Sequence, residues 1–264
     1  MRIALLSDMH GNSIALDEVL SDVQTLGGAD AYWVLGDIVA MGHDPVGVLE
    51  RLVALPNVCF VRGNTDRYTV AGDRFKPTPE QVNADFSLLP RLVARTQHFA
   101  WTLGAITTAG WLEWLCALPL EQRLVLPDGT RLLGVHASPG CDDGHGLNPT
   151  LSETARQALV VGCQADLVCV GHTHWPMEVK VGGVHLVNLG SVSMPFPPDL
   201  RASYVILEAD ARGYVVQHRR VDYDRHAVMA AVKRIKHPAP DYIISHMQGE
   251  RKPLWRTREE PPWA

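Results

Sequence analysis

Seven side chains in this 264-residue sequence stand out for what they could do together. Asp8-Met9-His10 sets a carboxylate and an imidazole two residues apart, Gly36-Asp37 and Gly63-Asn64-Thr65-Asp66 each bring polar groups out of a glycine turn, and His136 closes an apolar run. Gly171-His172-Thr173-His174 adds two imidazoles at i and i+2. Taken singly these are weak signals: a Gly-Asp is commonly a turn, Asn after Gly suits a left-handed turn, and a lone histidine is more often a satisfied core residue than a ligand. The histidine pair is harder to dismiss, because burying two imidazoles at a strand end is costly without partners. Mixed oxygen and imidazole donors suit Mn, Fe, Co or Zn better than Ca or Mg, and the absence of cysteine from the set argues against a structural zinc knot. Seven ligands exceed the needs of one ion. Two ions sharing a carboxylate is the simplest arrangement, and a pair about 3.5 to 4 Å apart is suited to phosphoryl transfer.

The elements that must position these groups are short apolar runs, each ending in a polar residue. Ile3 to Leu6 leads to Asp8 and His10, Tyr32 to Leu35 to Asp37, Val58 to Val61 to Asn64, Arg131 to Val135 to His136, and Leu167 to Val170 to His172 and His174. For Asp8 and His10 the period-two geometry of a strand end predicts that both side chains aim the same way. Val184 to Val187 runs into Asn188-Leu189-Gly190-Ser191, and Ser203 to Leu207 with Tyr214 to Gln217 reads as a closing antiparallel pair around Ala211-Arg212-Gly213. An amphipathic helix over Ser13 to Thr25, capped by Asn12 or Ser13 and stopped at Gly27-Gly28, separates the first two runs. Strand, helix, strand implies parallel pairing in an α/β layered fold, continuous apolar runs imply strands buried on both faces, and ligands in such sheets bind beyond the carboxyl ends of the strands.

Two segments break the alternation. Residues 67–119 carry no clear strand, open near Lys76-Pro77-Thr78-Pro79-Glu80, and read as a helical cap insertion over the site, with His98 and Trp101 either reaching into the cleft or packing the cap. Residues 222–264 turn basic (Arg225, Lys233, Arg234, Lys236, Arg251, Lys252, Arg256) and read as a C-terminal helix and tail, within a single domain spanning 1–264. The composition is that of an ordinary globular chain, and its net charge of −5 offers no pull toward nucleic acid or an anionic membrane. No run is long enough to be a signal or membrane segment. Five cysteines without a C-x-x-C read as thiols of a reducing, cytoplasmic setting.

The ordered series Asp8-x-His10, Gly36-Asp37, Gly63-Asn64-x-Asp66, Val135-His136 and Gly171-His172-x-His174 resembles the calcineurin-like metallophosphoesterase superfamily. It looks closest to the small bacterial and archaeal phosphodiesterase branch, in which an Asn-x-Gly-Ser turn follows the last histidines, here Asn188 to Ser191. The resemblance implies a two-sheet β-sandwich flanked by helices. It implies that Asp8, His10 and His174 hold one divalent metal, that Asn64, His136 and His172 hold another, and that Asp37 bridges them, with a hydroxide between the ions as in-line nucleophile. Mn²⁺ is the first candidate, and Fe, Co, Ni or Zn are alternatives. One departure matters: phosphatase branches carry a histidine after the Asn, and this chain has Thr65, which cannot act as a general acid near neutral pH. His43 is a candidate replacement, Asp66 a hydrogen-bond partner or loop cap, and Arg67 and Arg201 candidate phosphate contacts.

The function expected from these readings is hydrolysis of a small phosphodiester or nucleotide with a good leaving group. A phosphomonoesterase or a dinucleoside polyphosphate pyrophosphatase is the alternative enzyme class, and a non-catalytic scaffold of the same fold the alternative outside enzymes.

Overall fold

The computed structural model describes residues 1–72 and 77–253, so the expectations placed on Lys76, on Arg256 and on the tail over 254–264 lie outside the described residues. Two five-stranded mixed sheets stack face to face. The first has the order β10-β9-β1-β2-β3, built from β1 (Arg2–Leu6), β2 (Ala31–Leu35), β3 (Val58–Val61), β9 (Ala202–Asp210) and β10 (Gly213–Val221). The second has the order β4-β5-β6-β8-β7, from β4 (Glu121–Val125), β5 (Arg131–Val135), β6 (Leu167–Val170), β7 (Met177–Val181) and β8 (Val184–Asn188). In each sheet three neighbouring strands run parallel, β1-β2-β3 at one side of the first and β5-β6-β8 in the centre of the second, while the remaining pairings are antiparallel.

Alternation along the parallel strands explains their continuous hydrophobicity. Ile3 and Leu5 of β1, with Trp33 and Leu35 of β2, face the other sheet and meet Leu132, Leu167, Cys169 and Val187. Their neighbours Ala4, Leu6, Tyr32 and Val34 face outward, where they pack beneath helices. The second sheet does the same: Val168 and Val170 turn outward to Leu147 and Val160. Both faces are dry, so both carry apolar side chains.

Helix α1 (Ser13–Thr25) begins where the Asn12 side chain accepts from the Ala15 amide at 3.1 Å, and buries Ala15, Leu16, Val19 and Val23. Helix α2 (Pro45–Val53) follows with Asp44 as its cap. Two strands were not expected from the sequence, β4 and β7. Both are edge strands that alternate exposed and half-buried residues (Glu-Gln-Arg-Leu-Val and Met-Glu-Val-Lys-Val), so neither shows the continuous apolar run of the central strands.

The 67–119 segment is helical where it is described. Helix α3 (Asn64–Ala71) is followed by α4 (Pro79–Ala84), a short 3-10 turn at Phe86–Leu88, the long α5 (Leu89–Thr108) and α6 (Leu112–Cys116). His98 is buried in α5 and accepts a hydrogen bond from the Met41 amide at 2.6 Å, while Trp101 packs edge-on against His237. Both therefore pack the cap. Helix α7 (Glu153–Val160) covers the second sheet. The C-terminal region holds two helices, α8 (Arg225–Arg234) and α9 (Pro240–Met247), where one was expected, and both enter the core through Val228, Val232, Ile243 and Met247. Its basic residues lie on the outer face of that packing, which is why the charge pattern alone suggested a surface tail. Among the described residues no helix is long and apolar enough to cross a membrane.

Candidate metal centre

All the parallel strands point their carboxyl ends to one edge of the sandwich, and the turns leaving them carry the chemistry. These turns are not strand extensions. Asp8, His10, Asp37, His172 and His174 all have left-handed backbones, with φ of 59°, 46°, 54°, 68° and 57°. The period-two expectation for Asp8 and His10 is thus corrected: they converge through tight turns, not through an extended strand. Non-glycine residues in this region cost of order 1 to 3 kcal/mol each, and such outliers gather at functional sites.

The resulting arrangement has two clusters. Asp8, His10, Asp37 and His174 are buried, with one ligand atom from each lying within 4.8 Å of every other. His10 Nε2 is 3.1 Å from His174 Nε2 and 3.7 Å from Asp37 Oδ2, and His174 Nε2 is 3.2 Å from Asp8 Oδ1. On the far side of Asp37, His136 Nε2 lies 3.4 Å from Asp37 Oδ1 and 3.1 Å from Asn64 Oδ1, and His172 Nδ1 lies 3.0 Å from Asn64 Oδ1. The two carboxylate oxygens of Asp37 therefore face different clusters.

The donor chemistry fits divalent metal ions. Every one of the four imidazoles has its outward nitrogen against a backbone carbonyl: His10 Nδ1 on Ala40, His174 Nδ1 on Met194, His136 Nδ1 on Leu35 and His172 Nε2 on Gly144, at 3.1, 2.9, 2.7 and 2.9 Å. A carbonyl only accepts, so each of these nitrogens carries the proton and the inward nitrogen is left to offer a lone pair. Asp8 Oδ1 is buried and has no hydrogen-bond partner, whereas Asp8 Oδ2 accepts from the His172 amide. An orphaned carboxylate oxygen beside inward-facing imidazoles is a cation site by its chemistry.

Protonation in the metal-free chain follows from the same contacts. Burial alone would raise the Asp37 pKa, but the imidazoles of His136, His10 and His172 hold it well below the usual carboxylate range. Burial works against charge on His136, yet Asp37 outweighs it and pushes the imidazole up to about 10. His174 is likewise raised, with Asp8 overcoming burial, while burial lowers His10 to about 4 and also lowers His172. Without metal, Asp37 thus keeps on His136 a proton that an entering cation must displace. Because the proton on His136 has to leave first, Mn²⁺ affinity of its cluster should rise with pH by about tenfold per unit through the range below about 10. Calorimetric titrations at pH 6, 7 and 8, in buffers of different ionisation enthalpy, would detect the released proton; affinity independent of pH would refute it.

The turns are braced by Ser7, which the motif reading had not weighed, and by Asp66 and the Asn188–Ser191 turn, which it had. Ser7 Oγ lies 2.7 Å from Asp8 Oδ2 and 2.9 Å from the Leu35 carbonyl. Asn188 binds the carbonyls of Leu147 and Gly171 and the hydroxyl of Thr173 through its NH2, so it staples the turn that carries both His172 and His174. Ser191 Oγ donates to the Asp8 carbonyl and accepts from the amide of Met194, whose own carbonyl takes His174. That is the work of the Asn188 to Ser191 turn. Asp66 accepts from the amides of Gly63, Ile38 and Val39, tying the start of α3 to the Asp37 loop, and burial together with the Asp37 charge raises its pKa to about 7. Gly63 leaves no room for a side chain: a Cβ there would collide with the Asp37 amide and with Asp37 Oδ1. Gly63→Ala should therefore displace the Asp37 carboxylate and weaken Mn²⁺ uptake by roughly 10- to 100-fold, as loss of ligand support does; uptake equal to the parent protein in equilibrium dialysis would show that the loop can yield.

The remaining candidates sit elsewhere. His43 Nε2 pairs with Ser13 Oγ at 3.4 Å and not with either cluster, and burial lowers its pKa. Arg67 is engaged by Asp142 and Asp143 through its guanidinium, and Arg201 by Asp199 on the surface. Both arginines were candidate phosphate contacts; each guanidinium is paired with carboxylates, which for Arg67 are distant in sequence. Thr65 donates its amide to Asp37 Oδ1 at 2.9 Å, and its hydroxyl is buried without a partner.

Comparison with known proteins agrees with this geometry. The model of the calcineurin-like phosphoesterase superfamily domain matches residues 1–212. An uncharacterized protein of Methanocaldococcus jannaschii is 29% identical over 273 residues, covering 96% of this chain and 98% of that one. Phosphodiesterase YfcE of Escherichia coli is 29% identical over 219 residues, covering 80% of this chain and 89% of that protein. Among solved structures, a metallophosphoesterase from Sphaerobacter thermophilus superposes with a TM-score of 0.72 at 27% identity, over 95% of this chain and 99% of that one. A hypothetical protein from Pyrococcus horikoshii shares the fold with a TM-score of 0.76 at 20% identity, over 93% and 97% of the two chains. Two mixed sheets flanked by helices, a buried Asp/His group suited to divalent metal, and a family match over most of its length together make this chain a member of the calcineurin-like phosphoesterase superfamily.

Proposed function

We propose that the protein is a dinuclear metal-dependent phosphodiesterase. The observation that carries the proposal is the placement of Asp37, one carboxylate oxygen toward His10 and the other toward His136, with Asp8 and His174 beside the first and Asn64 and His172 beside the second. Asp8, His10, His174 and Asp37 would hold one ion, and Asn64, His136, His172 and Asp37 the other, with Mn²⁺ as the first to be tried. Ions bound there would supply Lewis-acid neutralisation of phosphoryl oxygens and a water acidic enough to ionise near neutral pH.

The chain's own residues set the rest. Two carboxylates against two dications leave a net positive site, which attracts a phosphate anion. The carbonyl-bound imidazoles and the stapled turns keep the donors in place without rearrangement, so little reorganisation accompanies charge development. Thr65 stands where a proton donor would help an alkoxide to leave, and its hydroxyl has no acidity to offer. Substrates whose leaving group departs as a stable anion fit best, which favours diesters of acidic alcohols or phenols over alkyl monoesters. The 29% identical Escherichia coli phosphodiesterase supports the same choice. A cytoplasmic setting belongs to the reading and is supported by five cysteines that all remain free thiols.

The test compares protein stripped with chelator and resupplied with Mn²⁺ on bis(p-nitrophenyl) phosphate and on p-nitrophenyl phosphate. Higher kcat/KM on the diester is expected. A strong monoester preference would overturn the substrate class, and no hydrolysis of either would overturn the enzyme.

A further inference from the structure

The carbonyl that holds His10 and the amide that meets α5 belong to one peptide group. The Ala40 carbonyl accepts from His10 Nδ1 at 3.1 Å, and the Met41 N–H, the other end of the same planar unit, donates to His98 Nε2 at 2.6 Å. A peptide plane turns as a whole, so whatever fixes the Met41 N–H also fixes where the Ala40 oxygen points. His98 stands in α5 and His10 follows β1, yet a single peptide separates their rings.

The start of that loop is held from within the metal centre. The carbonyls of Asp37 and Ile38 accept from the amides of His10 and Gly11, and the amides of Ile38 and Val39 donate to Asp66. The Ala40-Met41 peptide is held from the cap instead. Met41 is left-handed, with φ of 73°, a conformation that a non-glycine residue keeps only where its surroundings impose it. The loop also lies flush on the ligand's own backbone, since a Cβ on Gly42 would collide with the His10 carbonyl. His98 is suited to hold this peptide. A backbone amide only donates, so His98 Nε2 is the accepting nitrogen, and burial, with His237 adding to it, keeps the imidazole neutral by lowering its pKa to about 3. The ring is buried and packed by His237 at 4.9 Å and Phe99 at 5.3 Å between centroids, which keeps the acceptor from swinging away.

We propose that His98 is a positioning residue: through the Ala40-Met41 peptide it holds the Ala40 carbonyl on His10 Nδ1, and so aims His10 Nε2 into the first cluster. It touches neither metal nor substrate and acts through His10. Accepting the amide proton polarises the peptide, which makes the Ala40 oxygen a stronger acceptor and His10 Nε2 a stronger ligand. Docking of α5 is thereby tied to one cluster and not to the other, whose imidazoles rest on the Leu35 and Gly144 carbonyls. This inference rests on the two-ion reading above.

The experiment is a calorimetric Mn²⁺ titration of the full chain, as wild type, His98→Leu and His98→Gln. Leucine fills the space and accepts nothing, whereas glutamine ends in a carbonyl oxygen at nearly the reach of Nε2. The His98→Leu protein should bind one of its two ions about tenfold more weakly, as loss of support behind a histidine ligand does, and the other unchanged, the unchanged site reporting an intact fold. His98→Gln should restore the weakened affinity. Unchanged binding by His98→Leu, loss of both ions together, or a His98→Gln protein as weak as His98→Leu would each overturn the positioning role. Wild-type protein that takes up fewer than two ions would instead overturn the two-ion reading, and this inference with it.

Discussion

Replacing Asp37 by asparagine is expected to cost about a thousandfold in kcat/KM, or roughly 4 kcal/mol of transition-state stabilisation, more than the loss of any other single ligand. Asp37 alone reaches both clusters, through Oδ2 on the His10 side and Oδ1 on the His136 side. An amide in its place would offer one oxygen and one NH2. Whichever way it stood, one cluster would meet N–H hydrogens where it needs a lone pair. The loss of charge compounds this, because the site would then confront two dications with Asp8 as its remaining carboxylate. His174→Ala, by comparison, removes a donor from the first cluster and leaves the Asn64, His136 and His172 group whole. Steady-state kinetics on bis(p-nitrophenyl) phosphate, with Mn²⁺ content measured alongside, checks the ranking. Activity in Asp37→Asn within tenfold of the parent, or two ions still tightly bound, would show that the carboxylate is not shared.

Stripping the metals should change stability as much as activity. Five of the seven candidate ligands hold left-handed backbones, and Asp8 Oδ1 is buried without a hydrogen-bond partner. These are costs of the folded state that a bound cation offsets and the unfolded chain does not bear. An ion present at about a thousand times its dissociation constant stabilises by about 4 kcal/mol, which for a chain of this size raises Tm by roughly 10 °C. Thermal unfolding with excess Mn²⁺ and with chelator should differ by that order, in the direction of higher Tm with metal. Superimposable transitions would mean that the turns are satisfied without an ion. The pH sign follows from His136: because its proton must be expelled, the stabilising effect of Mn²⁺ should shrink as pH falls from 8 to 6.

The ligand-type residues were legible because they follow apolar runs that end abruptly, and a dry strand that ends in Asp, Asn or His has few structural reasons to do so. The layered α/β arrangement was legible for the same cause, since strands buried on both faces must lie between other layers, whereas the two-sheet sandwich followed from the family resemblance alone. The manner of convergence was not. Asp8 and His10 look like alternate residues of an extended strand, and their left-handed turns, enforced by hydrogen bonds such as His10 N to the Asp37 carbonyl, depend on chain far away. The edge strands β4 and β7 hid because one side of each meets water. Arg67 looked like a free cation beside a motif; Asp142 and Asp143, about 75 residues on, claim it only once the chain is folded.

The central claim is that two cation sites share one carboxylate. Equilibrium dialysis of chelator-stripped protein against Mn²⁺ at pH 8, with bound metal counted per chain at saturation, addresses it most directly. About two ions per chain are predicted, as a paired site requires, falling below one in Asp37→Asn. A wild-type count of one ion or none would contradict it.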